Sequence, residues 1–269
     1  MNERLESAHF TCRVEELGKD YGTVQAVRDI SFTLVPGEVF GLLGPNGSGK
    51  STTLHILTGL LEASHGNVEV KGVPIEDKEA RKWIGFAPDD LPLPLSLTGT
   101  EYLDLHHRLR KRNDRDVAAQ LAEVLGLTPA LGRSISGYSH GMKRKLQLIA
   151  AVMHSPQLLI LDEPFRGLDP EAAAVLRDLL EMFAGAGGSV LIATHDMLRA
   201  ELDCDRVMIL HNGEEAALGS PAGLRAAYGG LASLEAVFLQ ATKLDEFQAQ
   251  RLEQLQAALR VDQLEEGPQ

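Results

Sequence analysis

The amino-acid sequence predicts an α/β protein with a mainly parallel sheet, a small antiparallel β subdomain at the N-terminus and an inserted α-helical subdomain. Three observations lead to this prediction. Short apolar runs typical of buried strands alternate with helical segments along most of the chain. Residues 9–43 show mainly strand-like alternation, whereas residues from about 90 to 155 show helical periodicity. The 269 residues suffice for one large domain, or one domain with a subdomain.

The N-terminal part is predicted to consist of strands joined by short turns. FTCRVEEL (10–17) and VQAVRDISFTLV (24–35) alternate apolar and polar residues, and Pro36-Gly37 forms the next turn. Three further short strands are predicted: EVFGLL (38–43), NVEVKG (67–72) and WIGFAP (83–88). The helical pattern then begins near Thr98 and ends near Ser155, with breaks at Thr128-Pro129 and Gly132.

The remaining segments continue the alternation of strands and helices. LLILDEP (158–164) and SVLIATHD (189–196) are predicted buried strands, with a helix from about Glu171 to Ala184 between them. RVMILHNGEEAALG (206–219) predicts a hairpin with its turn at Asn212-Gly213. We assign residues 1–230 to one domain and 231–269 to a C-terminal helical extension. The apolar side of this extension carries Leu244, Phe247, Leu252, Leu255 and Leu259, and it either packs on its own domain or contacts a partner.

Composition and charge narrow the class of protein. The hydrophobic fraction of 44% and the charged fraction of 24% are ordinary for a soluble globular protein. A net charge of −12 argues against a nucleic-acid-binding surface spread over the molecule. Two distant cysteines, Cys12 and Cys204, favour a reducing compartment. The N-terminus shows no signal-peptide pattern and the sequence has no run of 18 apolar residues, so we expect no membrane span.

The segment GPNGSGKST fits the phosphate-loop pattern G-x-x-x-x-G-K-[ST] and lies between a predicted strand and a predicted helix, STTLHILTGLL (51–61). Its glycines allow backbone N–H groups to surround an anion, and the helix N-terminus adds partial positive charge. Lys50 would reach the β- and γ-phosphates, and the Ser51 hydroxyl would hold Mg²⁺. The alternative is a glycine-rich turn with a chance Lys-Ser. The predicted nucleotide-binding residues of the loop are Gly44, Pro45, Asn46, Gly47, Ser48, Gly49, Lys50, Ser51 and Thr52.

The strand LLILDEP brings two carboxylates to its carboxyl end, where ligands bind in open α/β sheets. Asp162 can hold Mg²⁺ through water, and Glu163 could orient or deprotonate the attacking water. The alternative is a pair of solvated strand-end carboxylates. The phosphate loop in the same chain favours the catalytic interpretation.

Taken together, these motifs resemble those of the ATP-binding subunit of ABC transporters, and the resemblance covers nearly the whole chain. Tyr21 matches the aromatic residue that stacks on adenine, and YSHGM (138–142) matches the signature motif. GLDP (167–170) matches the D-loop, and His195 matches the switch histidine. The resemblance implies ATP and Mg²⁺ as cofactors and ATP hydrolysis as the reaction. Residues 1–230 would then be an ABC-type ATPase domain with a phosphate-loop NTPase core.

The resemblance also implies that each chain carries only half of a complete site. Ser139 and the backbone around Gly141 would open a helix that faces the γ-phosphate held by a second subunit. Two chains, either a homodimer or a pair with a related ATPase subunit, would sandwich two ATP molecules head to tail. His195 would contact the γ-phosphate and hold the water and Glu163 in place, and Asp169 would act across the interface.

Two departures from the family pattern bear on these roles. Tyr138, His140 and Met142 replace three of the five residues of the usual LSGGQ, although Ser139 and Gly141 remain. Asp89 stands where the family commonly has a glutamine that contacts Mg²⁺, and as a carboxylate it can still be a ligand. Both features are similar to those of the branch that works with export-type permeases.

Two surface segments have open interpretations. The loop DDLPLPLSLT (89–98) is either a connector or part of a groove that receives the permease, with Leu91, Leu93 and Leu95 as exposed apolar contacts. The basic run HHRLRKRNDR (106–115) is either a solvated helix face or a contact for anionic lipid.

The leading functional hypothesis is an energy-coupling ATPase that drives a separate transmembrane permease, with an exporter of the ABC-2 type as the expected partner. Such a subunit would lie in the cytoplasm on the inner face of the cell membrane and touch the membrane only through the permease. The alternative is a soluble ABC-type ATPase acting on ribosomes or DNA, but such proteins generally have tandem cassettes or basic extensions. A third reading, a scaffold without hydrolysis, conflicts with the presence of Glu163 and His195.

Overall fold

A computed structural model describes residues 10–89, 92–110 and 114–244 of the chain. Parts of three predicted segments lie outside these residues. They are Leu91 of the loop at 89–98, residues 111–113 of the basic run, and residues 245–269 of the C-terminal extension, with Phe247, Leu252, Leu255 and Leu259.

The N-terminal antiparallel sheet is confirmed and has four strands in the order β2-β1-β4-β5. Its strands are β1 (Cys12–Tyr21), β2 (Val24–Leu34), β4 (His65–Val70) and β5 (Val73–Pro74). The inward-facing residues of β1, such as Cys12 and Val14, are buried and alternate with more exposed ones. This period of two explains why the strand could be predicted from apolar alternation.

The second sheet is the mainly parallel one, with six strands in the order β10-β9-β3-β8-β7-β6. Its strands are β3 (Val39–Leu43), β6 (Ile84–Ala87), β7 (Leu158–Asp162), β8 (Ser189–Thr194), β9 (Arg206–His211) and β10 (Glu214–Gly219). All neighbouring pairs are parallel except β9 and β10. Those two form the predicted hairpin, in which Asn212 and Gly213 have φ values of 52° and 83°.

The core lies on both faces of the parallel sheet. Along β3, Phe40 and Leu42 belong to the cluster under the N-terminal sheet, whereas Val39 and Leu43 face the opposite cluster. Phe32 of β2 stacks on Phe40 with ring centroids 5.1 Å apart. The sheet is therefore a buried central layer, and its strand ends form one edge where side chains can meet.

Helices occupy the remaining layers, and their bounds differ in part from the prediction. They are α1 (Lys50–Leu57), α2 (Lys78–Arg81), α3 (Gly99–Arg110), α4 (Arg115–Val124), α5 (His140–Val152), α6 (Pro170–Gly185), α7 (Met197–Asp203), α8 (Pro221–Ala227) and α9 (Leu234–Ala241). Helix α1 ends at Leu57 rather than Leu61 because Gly59 has φ 68°, which terminates the helix. Within the described residues, no helix is both long enough and apolar enough to span a bilayer.

The helical block contains α3, α4 and α5 together with two short 3₁₀ helices at Thr128–Ala130 and Ile135–Gly137. The loop before α3 differs from its prediction at one residue. Leu93 is buried in the core at 8% exposure, whereas Leu95 is exposed at 50%. The buried position of Leu93 anchors the loop to the helical block.

The described part of the C-terminal extension packs on the rest of the chain. Leu234 and Val237 of α9 are fully buried in the same cluster as one face of the parallel sheet. The Leu234 N–H donates to the Glu201 carboxylate of α7 at 2.9 Å. Residues 234–241 are thus part of the packed domain, and the boundary at residue 230 stays a prediction.

Candidate functional site

The loop between β3 and α1 has a backbone that requires glycine at two positions. Gly44 approaches the Leu210 carbonyl so closely that a Cβ would lie 2.4 Å from its oxygen. Gly49 has φ 106°, and a Cβ there would lie 2.5 Å from the Ala26 oxygen. The pattern of glycines in the sequence therefore reflects close packing of the loop as well as space for an anion.

Lys50, the first residue of α1, is folded back onto the loop. Its side chain is buried, and Nζ donates to the carbonyls of Gly44 at 2.7 Å and Pro45 at 3.0 Å. Burial lowers the pKa of Lys50, and the nearby carboxylates of Glu163 and Asp162 partly oppose this. The ammonium is thus positioned at the loop by its own backbone, with one of its three donors left for a phosphate.

An open cavity of about 470 Å³ joins the phosphate loop to the ends of β6, β7 and β8. It is lined by Asn46, Lys50, Ser51, His55, Leu60, Phe86, Pro88, Asp89, Asp162, Glu163, Arg166 and His195. These strands are parallel neighbours, so their carboxyl ends deliver the predicted residues to one edge. The structure therefore brings together Asn46, Lys50, Ser51, Asp89, Asp162, Glu163 and His195.

Glu163 directly follows β7, and its carboxylate is bound by two residues at the end of β8. Its Oε2 accepts a hydrogen bond from Thr194 Oγ1 at 2.8 Å. Its Oε1 accepts from the His195 backbone N–H at 3.0 Å and lies 2.6 Å from His195 Nδ1. An ionised Glu163 requires this Nδ1 to carry the proton. The two predicted catalytic residues thus form a carboxylate–imidazole pair that can orient and polarise a water molecule.

Asp162, the last residue of β7, has the electrostatic character of a cation ligand. Burial raises the pKa of Asp162, and the carboxylates of Asp89 and Glu163 raise it further, against the effect of Lys50 and Arg144. A divalent cation would relieve this repulsion. Ser51 is exposed beside the loop, and a hydroxyl and a carboxylate are ligands that Mg²⁺ accepts when phosphates supply others. Ser51 and Asp162 therefore fit Mg²⁺.

Asp89 lies in the same cavity but its carboxylate is already bound by two arginines. Oδ1 contacts Arg144 Nη2, and Oδ2 contacts Arg166 Nη1 at 2.7 Å. Sequence reasoning assigned no role to either arginine. Arg144 lies in the basic segment KRK directly after the signature, and Arg166 lies three residues after Glu163, so the signal available in the sequence was their position next to two motifs.

The signature motif lies outside this cavity, at the start of α5. Ser139 caps the helix, with Oγ accepting from the Met142 N–H at 3.2 Å. The Gly141 Cα hydrogen points at the Gly167 carbonyl, which a Cβ would approach to 3.4 Å. Tyr138 fills the helical subdomain and donates from its hydroxyl to the Ala130 carbonyl at 2.7 Å. The core of the helical subdomain therefore accommodates Tyr138 in place of the usual leucine of the signature.

Asp169 and Tyr21 also do not line the cavity, and among the loop residues the same holds for Gly44, Pro45, Gly47, Ser48, Gly49 and Thr52. Asp169 caps α6 by accepting from the Ala172 N–H at 2.8 Å. Tyr21, at the end of β1, is 51% exposed, and Lys19 Nζ lies 5.4 Å from its ring centroid. An exposed ring is available for stacking, and the adenine-binding role of Tyr21 stays a prediction.

The chain was compared with known proteins. The family described as ABC transporter matches residues 27–166, just over half of the chain. The linearmycin resistance ATP-binding protein LnrL of Bacillus subtilis is 38% identical over 228 residues, which cover 81% of this chain and 72% of that protein. The Nod factor export ATP-binding protein I of Rhizobium meliloti is 38% identical over 213 residues, which cover 77% and 64% of the two chains.

Two solved structures have the same fold. An ATP-binding subunit of an ABC transporter superposes with a TM-score of 0.82 at 31% identity and covers 86% of this chain and 99% of its own. The protein cbiO1 of Clostridium perfringens, part of the ABC transporter complex cbiONQ, superposes with a TM-score of 0.70 at 26% identity. That match covers 90% of this chain and 99% of the other.

Proposed function

Because the chain belongs to the ABC transporter family, as an ATP-binding subunit with ATPase activity, we propose that it drives a separate transmembrane permease of the export type. The observation that carries this proposal is the single cavity that gathers Lys50, Asp162, Glu163 and His195. The export direction is supported by the names of two relatives, a Nod factor export protein and a linearmycin resistance protein. Nod factor and linearmycin are named for those relatives and are not assigned to this chain.

Each residue of the cavity has a role in this proposal. The loop from Gly44 to Thr52 binds the phosphates of ATP, with Lys50 at the terminal ones. Ser51 and Asp162 hold Mg²⁺, which when bound offsets negative charge on the phosphates. Glu163 orients and deprotonates the attacking water, and His195 fixes the Glu163 carboxylate through the 2.6 Å contact.

The site is completed by a second chain, either another copy or a related ATPase subunit. Ser139 and Gly141 lie outside the cavity of their own chain and open α5 towards solvent. A helix N-terminus suits the γ-phosphate of a nucleotide bound to a partner, and the Ser139 hydroxyl, which accepts from the Met142 N–H, still has its own proton to donate. In such a head-to-tail pair, Asp169 would lie near the interface and Tyr21 would stack on the adenine of its own chain.

The permease would dock beside the loop that precedes α3. A groove of about 300 Å³ there is lined by residues of this loop and of α5, including Leu95 and His140. Docking at this groove would place the protein on the cytoplasmic, inner face of the cell membrane, in contact with the membrane only through the permease. The alternative function, action on ribosomes or DNA, is not favoured because the named relatives are transport and resistance proteins.

Reconstitution tests the coupling. The full-length chain would be co-expressed with a candidate permease encoded beside it and purified from detergent extract. We expect the two to co-purify and ATP hydrolysis to depend on the Glu163 carboxylate, so that Glu163→Gln keeps the complex and loses turnover. An ATPase that hydrolyses ATP and binds no permease would contradict the coupling proposal, while leaving the ATPase assignment intact.

A further inference from the structure

Arg144 is a buried arginine beside the nucleotide cavity for which the proposed chemistry has no role. Its side chain is only 4% exposed. Nη1 donates to the Pro88 carbonyl at 2.8 Å, and Nη2 donates to the Asp89 carboxylate and to the Glu163 carbonyl at 3.0 Å. Burying a guanidinium is costly unless its charge is paired and its donors are satisfied. Asp89 pairs the charge, and the three acceptors together bind Nη1 and Nη2, although the buried Nε has no hydrogen-bond partner among the described residues. The fork of Arg144 is therefore held in a fixed place.

Asp89 supplies the charge that makes this burial tolerable. Its side chain is 15% exposed, and each of its oxygens contacts a different arginine, Arg144 or Arg166. A magnesium ligand at this position would have to bring a divalent cation next to two guanidinium groups, whose repulsion opposes binding. The resemblance to the family led us to expect Asp89 as a ligand of Mg²⁺, and this arrangement does not fit that role.

Arg144, held by Asp89, contacts the backbone of Glu163. Glu163 has φ 47°, a left-handed conformation that few non-glycine residues adopt. Its N–H donates to the Ala193 carbonyl at 2.9 Å, and its carbonyl accepts from Arg144 and from the Arg166 N–H at 3.1 Å. These bonds fix the backbone from which the carboxylate reaches Thr194 and His195.

We propose that Asp89 and Arg144 are positioning residues for Glu163, with Asp89 anchoring Arg144 instead of binding Mg²⁺. The inference rests on the proposed role of Glu163 as the group that activates water. Arg144 belongs to α5, whose first turn carries the signature, and it contacts Pro88 and Asp89, which directly follow β6.

Steady-state kinetics of the full-length protein test the positioning role. The variants are Asp89→Asn, Arg144→Lys, Arg144→Gln and the double variant Asp89→Asn/Arg144→Gln. Because small displacements of a catalytic group are costly, we expect each single variant to lower kcat by roughly 10-fold to 100-fold with little change in KM. Arg144→Lys should not rescue activity, since an ammonium lacks the fork that spans three acceptors. The double variant should be no slower than the slower single variant, because the two residues act as a unit.

A matched control is available in the helical subdomain. Asp104 also lies between two arginines, 3.0 Å from Arg115 and 3.9 Å from Arg108, but away from the nucleotide cavity. Asp104→Asn should leave kcat at the wild-type value. Loss of kcat in this control equal to that of Asp89→Asn would show that any such pair matters only for stability and would overturn the proposal.

A binding measurement separates positioning from metal ligation. Mn²⁺ would replace Mg²⁺, and its binding with ATP would be followed by electron paramagnetic resonance in the Glu163→Gln background. We expect Asp89→Asn to leave Mn²⁺ affinity unchanged, while Asp162→Asn lowers it by at least roughly 10-fold. If Arg144→Gln does not fold, Asp89→Asn and this measurement still decide the question.

The outcomes are distinct. Weakened Mn²⁺ binding in Asp89→Asn, with kcat restored at high Mg²⁺, would make Asp89 a metal ligand and overturn the proposal. Wild-type kcat in Asp89→Asn and Arg144→Lys would also overturn it. Wild-type turnover in Glu163→Gln would instead remove the proposed role of Glu163 itself, on which the inference depends.

Discussion

At the scale of single residues, the orientation of Glu163 is set by three neighbouring side chains. Thr194 and His195 direct its carboxylate, and Arg144 holds its carbonyl. The pairing of Glu163 with His195 was predicted from the resemblance to the ABC transporter family, and the structure places both residues at the ends of adjacent parallel strands. The arginines could not, because Arg144 and Arg166 lie 55 and 77 residues from Asp89 in sequence, and only the folded chain joins them.

Lys50 is expected to supply much of the affinity for the terminal phosphates. Replacing it with alanine removes the cation and its charge-assisted hydrogen bonds, worth about 1.5–3 kcal/mol each, so ATP affinity should fall at least roughly 10-fold. Titration with a fluorescent ATP analogue measures this. Lys71→Ala is the control, since Lys71 lies over the Trp83 ring in the small sheet. Equal affinities for Lys50→Ala and wild type would refute the phosphate-binding role.

We expect the ionised Asp162 carboxylate to destabilise the folded chain when no metal is bound. The pKa of Asp162 is raised in the folded state, so the folded chain binds a proton more readily than the unfolded chain. The free energy of unfolding therefore falls as the pH rises from the ordinary carboxyl pKa through the raised one. Without nucleotide or metal, Asp162→Asn should therefore melt at a higher temperature than wild type at neutral pH. The difference should shrink as the pH is lowered below the usual carboxyl range.

Differential scanning calorimetry at several pH values measures this difference. The same variant should also lose ATP-dependent Mn²⁺ binding. A variant that melts below wild type at neutral pH, or above it by the same amount at all pH values, would contradict the repulsion described for Asp162.

At the scale of helices and strands, some element bounds could be predicted from the local sequence and others could not. The Asn212-Gly213 hairpin and helix α6 follow from turn residues and from apolar spacing, so both were predictable. Helix α1 was predicted to continue to Leu61, but Gly59 ends it. Leu93 was expected at the surface and is buried, because its environment is made by distant helices that a local pattern does not specify.

The signature helix α5 allows a test that separates structure from function. Ser139 and Ser233 each cap a helix, accepting from backbone N–H groups at 3.2 and 3.3 Å respectively. Either serine-to-alanine change should cost about 1 kcal/mol of stability through loss of the cap. Only Ser139→Ala should also weaken ATP-dependent dimerisation, since Ser139 would contact the nucleotide of the partner.

Thermal melting and sedimentation of both variants with ATP make this comparison. Unfolding temperatures should fall by similar, small amounts. Dimerisation weakened equally by Ser233→Ala and Ser139→Ala would assign the effect to lost stability, and the signature would have no contact in trans.

The described part of the molecule is an ATPase domain whose nucleotide cavity is not lined by its own signature residues, Ser139 and Gly141. Its two sheets and helical block follow the family architecture, which the order of motifs predicted. The geometry of one chain accounts for nucleotide binding by Lys50, Ser51 and Asp162. Ser139 and Gly141 do not line this cavity, and in the proposed pair a second chain would bring its own copies of them to the terminal phosphate.

Light scattering of the full-length Glu163→Gln variant tests this pairing most directly. Binding without hydrolysis should trap the closed state, so the account predicts a monomer without nucleotide and a dimer with ATP and Mg²⁺. Adding Ser139→Ala to this variant should reduce the dimer fraction. A Glu163→Gln protein that binds ATP with wild-type affinity and stays monomeric at saturation would contradict the claim that two copies of this chain share each site.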